Sequence, residues 1–342
     1  MGKKKSSRRA LSLFLVGCAA LLAAGYYACF SAMSKDGGEH DVFVDADDTS
    51  DSVMVKVQAV SGSLQCAVFK TLAGVTDYGK HVRTGRYVIG STGALQTFRH
   101  FRNGQQTPVS LVVPSVRTTD RLSEELCRHL MIDSSQLQAL LCDEAVCKSY
   151  GKDTLTIQCL FVPNTYSVYW NISAEKLLER MKKEYDRFWN DERKAKAAGA
   201  ELTPDEVMTL ASIVDEETAN DAEKPMVAGM YINRLHCGMP LQADPTVKYA
   251  WKRFDLRRIY NKLLSIDSPF NTYRYAGLPP GPIRIPSVAG IDAVLNYVRH
   301  DYLYMCAKED FSGTHNFAVT YPEHLKNAAR YAEALNKRGI KS

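Results

Sequence analysis

Uncharged, mainly apolar positions run without a break from Ala10 to Met33. A helix needs roughly 20 such residues to cross a bilayer, so residues 10–33 are expected to form a transmembrane helix. A cleaved signal peptide would carry a shorter apolar region of about 7–15 residues. Leu15-Val16-Gly17-Cys18 has the form of a lipobox, yet the apolar run continues past Cys18, where a lipoprotein would turn polar. The pattern then becomes polar and acidic, with Asp36, Glu39, Asp41, Asp45, Asp47, Asp48 and Asp51, which predicts a flexible linker over residues 34–52. Alternation returns in Val53–Val57, Arg86–Ile89 and Val109–Val113, read as strands, and Thr119–Leu130 is read as a helix. These make residues 53–159 a small α+β module. From residue 160 the period is mostly helical. Ser173 opens an amphipathic helix through Leu177, Leu178, Met181, Tyr185, Phe188 and Trp189. Thr203-Pro204-Asp205-Glu206 is a capping box with proline at the first helical position. Asn220-x-x-Glu223 begins another helix ending near Gly238, and Thr320-Tyr321-Pro322-Glu323 begins a terminal one stopping at Gly339. Tyr302–Ala307 and Asn316–Val319 read as strands. The fold class is α+β, with residues 160–342 as one domain.

Charge changes this picture at the N-terminus. The chain carries 43 basic and 38 acidic residues, and Lys3, Lys4, Lys5, Arg8 and Arg9 sit together before the apolar run. With those five set aside, the remainder is formally neutral and has no basic stripe, which argues against nucleic acid as a partner. A basic cluster before a span stays cytoplasmic, so residues 1–9 are a cytoplasmic tail and everything after Met33 lies outside. Nine cysteines include Cys18 and Cys29 in the span, leaving an odd number outside it. They read as small buried hydrophobes with one or two disulfides. Cys142-x4-Cys147 lacks the second pair or histidines of a zinc site, so no metal or cofactor is expected.

Phosphate loops, zinc helices and nucleophile elbows are missing from the sequence. Its unusual feature is Asp215-Glu216-Glu217 at the end of the helix begun at Thr203. A solvated acidic helix end is the plain reading. At about 100° per residue, however, Leu210 and Ile213 fall within about 40° of Glu217, which puts it on the apolar stripe. Asp215 and Glu216 then point elsewhere, toward water. A helix C-terminus, partial burial and neighbouring acids all raise a carboxyl pKa toward the range of a general acid. Downstream, Asn233-Arg234, Gln242-x-Asp244-Pro245-Thr246, Asn271-Thr272-Tyr273 and Gly277-Leu278-Pro279-Pro280-Gly281-Pro282 crowd amides, hydroxyls and rings into loops. Any one of them is an ordinary loop; together they suggest a long carbohydrate cleft. His315 either binds sugar or finishes a strand.

Leu210-Ala211-Ser212-Ile213-Val214-Asp215-Glu216-Glu217-Thr218 resembles the signature of the endolytic murein transglycosylases, the YceG-like family. Val227–Leu235, Gly238–Val247, Ser268–Tyr273, Ala276–Ile283 and Asp301–Tyr304 resemble its following blocks in order. Phe161–Tyr166 is similar to an upstream element, and Arg83-Thr84-Gly85-Arg86-Tyr87 to the start of its LysM-like module. The resemblance implies a single-pass inner-membrane enzyme with a LysM-like module, an α+β catalytic domain in the periplasm and no cofactor. It maps the catalytic glutamate onto Glu217; Asp215 and Glu216 depart from the family's usual Glu and Lys at positions that are not catalytic. It also implies non-hydrolytic cleavage of MurNAc-β-1,4-GlcNAc bonds in nascent peptidoglycan strands, giving 1,6-anhydroMurNAc ends and limiting strand length. Peptidoglycan synthases are the partners it suggests. Asn233, Arg234, Gln242, Asp244, Thr246, Asn271, Thr272, Tyr273 and His315 are the candidate substrate-binding residues. The alternatives are a lysozyme-like hydrolase with Asp244 as second acid, and a non-catalytic peptidoglycan-binding or cell-division scaffold.

Overall fold

The computed structural model describes residues 2–256 and 259–338. Met1, the expected helix stop Gly339 and the side chains of the basic tail lie outside the described residues. Two compact units are present. The first holds the chain up to Leu111 together with His129–Met131 and Ser167–Ile172. The second holds Val112–Arg128, Ile132–Tyr166 and the chain from Ser173 onward. The division therefore falls near residue 111 instead of 159. Segments expected in the module, such as the one around Val116, bond into the second unit, where the Ile285 amide donates to Val116 O at 2.8 Å.

The first unit starts with α1 (Gly2–Phe30), followed by β1 (His40–Val44), α2 (Ser50–Val60), α3 (Ser63–Val75), β2 (Gly85–Ile89) and α4 (Ala94–Asn103). β1 and β2 pair antiparallel, with Val42 opposite Tyr87. Phe69 centres the core, edge-on to Phe98 and Phe101 at centroid separations of 5.2 and 5.4 Å. Three expectations are corrected here. Val53–Val57 is helical: Thr49 caps α2 in a capping box with Ser52, and Val53 and Val57 share the buried face while Val55 is 70% exposed. Three β-branched residues at alternate positions imitate a strand, but the i, i+4 pair decides which face is buried.

The acidic stretch is folded as well, because its carboxylates have partners. β1 runs through it, and Asp45 and Asp48 both accept from Lys56 Nζ, at 2.9 and 2.5 Å. Third, the apolar run does not stay in one helix to Met33. α1 carries Leu11–Phe30, long and apolar enough to cross a membrane, and ends there. Met33 is fully buried in the core of the first unit, its amide donating to Thr92 O at 3.0 Å and its carbonyl accepting from Gly62. A Cβ at Gly93 would lie 2.5 Å from Cys29 O, so only glycine permits this close approach.

β3 (Val109–Val112) and β4 (Thr165–Val168) form a two-stranded sheet. The second unit contains α5 (Thr119–Cys127), α6 (Ser134–Cys142), α7 (Glu144–Ser149), α8 (Ala174–Phe188) and α9 (Asp191–Gly199). α10 (Pro204–Glu217), α11 (Lys224–His236), α12 (Asp244–Ala250) and α13 (Val288–Leu295) follow, then β5 (Tyr304–Ala307), β6 (His315–Ala318) and α14 (Tyr321–Lys337). The capping boxes explain where helices start. Thr203 Oγ1 accepts from the Glu206 amide while the Glu206 carboxylate accepts from the Thr203 amide. Thr320 caps α14, but Glu323 returns its bond to the Val319 amide, one residue earlier than a full box requires. α11 starts at Lys224 with no side-chain cap: Asn220 instead accepts from the Ala222 amide in a preceding turn. α10 is the centre of this unit. Every residue from Val207 to Val214 is buried, each large apolar one stabilising the fold by about 1.5–3 kcal/mol. All nine cysteines are free thiols, with Cys147 and Cys159 fully buried, so the expected disulfides do not form.

Candidate active site

The last turn of α10 directs three consecutive acids to three different environments. Asp215 does not face water. Its side chain is 4% exposed, accepts from the Ser287 amide and hydroxyl at 2.6 and 2.9 Å, and pairs with buried Lys224 at 2.7 Å. Glu216 is largely shielded, its side chain 13% exposed, and accepts two parallel bonds from Arg117 at 2.9 Å each and one from Arg284 at 3.0 Å. A helix surrounded on several sides leaves no solvated face for these acids, so each is met by cations instead. Both are structural ion pairs.

Glu217 alone opens into a cavity of about 250 Å³, whose walls include Tyr231, Arg234, Gln242, Asp244, Tyr273 and His315. Leu210, Ile213 and Val214 beneath it are fully buried. The Tyr231 hydroxyl, one helix away on α11, donates to Glu217 Oε1 at 2.8 Å. Loss of solvation pushes the Glu217 carboxyl up from 4.5 to about 7, and the negative charge of Asp244 adds to the rise. The Tyr231 bond, His315 and Lys248 pull the other way without cancelling it. At neutral pH the carboxyl is therefore divided between proton donor and proton acceptor forms. A single group able to give and retake a proton is what this arrangement supplies.

Of the nine polar residues singled out in the sequence, Arg234, Gln242, Asp244, Tyr273 and His315 reach this cavity. Arg234 is held by Leu303 O and Leu241 O, and the Tyr273 hydroxyl donates to Asp244 Oδ1 at 2.6 Å. The other four build the walls from behind. Asn233 donates to His300 O and Tyr302 O, and Asn271 to Leu264 O and Ile266 O. Thr246 and Thr272 are buried and joined through their hydroxyls at 2.8 Å. Their amides and hydroxyls are already occupied by the loops they fasten. Gly277–Pro280 do not extend the cleft. They line a second cavity of about 570 Å³ with Thr156, Asp205 and His236, sharing no wall residue with the first.

Neither Tyr231 nor Glu223 is among the candidate site residues named from the sequence, although both sit close to the Glu217 motif. Glu223 is buried and accepts from Thr218 Oγ1 and from His315. A tyrosine two positions before Asn233, facing the apolar stripe of the previous helix, was the available signal for the first. Among the described residues no group of three His, Cys, Asp or Glu side chains could hold a metal ion.

Comparison with known proteins identifies the family of this fold. The model of the YceG-like family matches residues 42–330. The endolytic murein transglycosylase of Bacillus subtilis (strain 168) is 40% identical over 132 residues, which is 39% of this chain and 36% of that protein. The protein of the same name from Streptococcus pneumoniae (strain ATCC BAA-255 / R6) is 31% identical over 179 residues, 50% of this chain and 32% of that one. The aligned stretches thus span about a third of the length of these curated relatives. The crystal structure of a yceG-like protein from Listeria monocytogenes shares the fold, with a TM-score of 0.55 and 23% identity, covering 85% of this chain and 99% of that one.

Proposed function

The chain belongs to the YceG-like family, and we propose that it is an endolytic lytic transglycosylase of peptidoglycan. The observation that carries this reading is Glu217, a carboxyl raised to about 7 in a polar cavity and fixed by the Tyr231 hydroxyl. Protonated Glu217 gives its proton to the leaving oxygen of the MurNAc-β-1,4-GlcNAc bond as positive charge develops at C1. The carboxylate so formed takes the proton of the MurNAc C6 hydroxyl, whose oxygen bonds to C1 and closes the 1,6-anhydro ring. The nucleophile is intramolecular, so no second carboxylate is needed to activate water. Nascent strands are the substrate, strand shortening is the outcome, and peptidoglycan synthases are the partners in this reading. Arg234, Gln242, Asp244, Tyr273 and His315 are the residues assigned to hold the glycan.

Leu11–Phe30 serves as the single span in the inner membrane, with the basic tail cytoplasmic and both folded units in the periplasm. The first unit is assigned as a LysM-like glycan-binding module, on the resemblance around Arg83–Tyr87, which in the structure leads into β2. Asp244 in the same cavity favours one rival, a lysozyme-like hydrolase. Mass spectrometry of glycan strands incubated with the full chain in detergent separates the two. Anhydro ends are expected; reducing ends would establish the rival, and uncut strands would leave a binding scaffold.

A further inference from the structure

His315 stands at the start of β6 and in the wall of the Glu217 cavity, and what fixes it there is a buried carboxylate from another element. Glu223, just ahead of α11, is 8% exposed. Its Oε1 accepts from the His315 amide at 2.6 Å. Its Oε2 accepts from Thr218 Oγ1 at 3.0 Å and faces His315 Nδ1 at 3.0 Å. Thr218 is the residue after Glu217 and caps α10. One carboxylate therefore ties together the end of the Glu217 helix, the start of α11 and the first residue of β6.

An ionised carboxylate only accepts, so the proton on the facing ring nitrogen is Nδ1–H. Nε2 is then the nitrogen left for something else, and it has no hydrogen-bond partner among the described residues. Second-sphere carboxylates orient histidines in this way at many reactive sites, fixing both ring plane and tautomer. With the proton on Nδ1, the neutral ring offers Nε2 as an acceptor, and a sugar hydroxyl can donate to it.

We propose that Glu223 is a positioning residue that locks the His315 tautomer, and that His315 Nε2 binds a hydroxyl of the glycan beside Glu217. The proposal rests on the cavity being the glycan site. It differs from a strap that merely pins β6, because the strap needs only the backbone amide of residue 315.

The test is a double-substitution cycle read by strand binding. Full-length chain in detergent carries Glu217→Gln to prevent turnover, and its affinity for peptidoglycan glycan strands is measured. His315→Asn keeps a donor toward Glu223 but loses the cavity-facing nitrogen, and is expected to weaken binding about tenfold, the scale of one lost hydrogen bond. His315→Gln, which can place an amide near the Nε2 position, is expected to recover part of that loss. Glu223→Gln alone is expected to match His315→Asn, and the pair together to be no worse than either. ¹⁵N spectra of the ring should show Nδ1–H in the parent and lose that form in Glu223→Gln. Losses that multiply, or wild-type binding by His315→Asn, would overturn the proposal, as would a parent that binds no strands. Should strands bind with the cycle intact while active chain makes no anhydro ends, the cleavage reading fails and the positioning role stands. Anhydro ends with multiplying losses would instead uphold cleavage and remove the positioning role.

Discussion

Replacing Glu217 with glutamine should stabilise the protein at neutral pH while removing its chemistry. The carboxyl is raised from 4.5 to about 7 because the fold strips it of water, so the fold favours its protonated form. A raised acid contributes stability that is fully present below pH 4.5 and is lost as pH rises through about 7. At about 1.4 kcal/mol per pH unit, the parent gives up about 3 kcal/mol across that window. Glutamine is neutral throughout, and its carbonyl can still accept from Tyr231. The variant should therefore match the parent near pH 4 and exceed it by up to about 3 kcal/mol above pH 8. Urea unfolding of both chains in detergent from pH 4 to 9 measures the gap directly. Cleavage by the same preparation should fall by about 10²–10⁴-fold or more, since one group serves both proton transfers. A gap that is flat with pH, or one that closes as pH rises, would refute the desolvation argument. Near-normal cleavage would refute the assignment of Glu217 itself.

Parent kcat/KM should decline as pH rises through about 7, the limb of the protonated acid. Tyr231→Phe removes the bond that holds the Glu217 carboxyl down, so that limb should move to higher pH, and a limb that stays or moves down would count against Tyr231. Asp215→Asn leaves Lys224 buried with only the exposed Asp221 as an ionic partner, and should cost about 3 kcal/mol by thermal unfolding. Glu216→Gln, whose Arg117 partner is partly solvated, should cost about 1–2 kcal/mol and leave the pH limb of the surviving enzyme in place. Gly93→Val drives a side chain into the backbone of Cys29 and Phe30, and should destabilise the first unit by about 1–3 kcal/mol or more in hydrogen exchange. Unchanged protection of β1 and β2 would show that the end of α1 is not packed there.

Much of the second unit was legible in the sequence because its signals are local. The Thr203 capping box and the Ser173 cap depend on residues within a few positions of one another, and the structure has both. Helical periodicity likewise put Glu217 above Leu210 and Ile213, since a stripe is a property of one helix alone. The fates of Asp215 and Glu216 were not legible. A helical wheel says which way a side chain leaves its own helix but not what stands there, and Ser287, Arg117 and Arg284 arrive from far along the chain. The same limit applies to Val53–Val57, where only the packing of Val53 and Val57 into one core distinguishes helix from strand. It applies again to the acidic stretch, which folds because Lys56 meets Asp45 and Asp48. Sequence determined where the side-chain-capped helices α8, α10 and α14 begin and which carboxyl rests on apolar neighbours. Tertiary structure decided which polar groups face the cavity and which are used up holding its walls, because a hydrogen bond depends on distance in space and not along the chain.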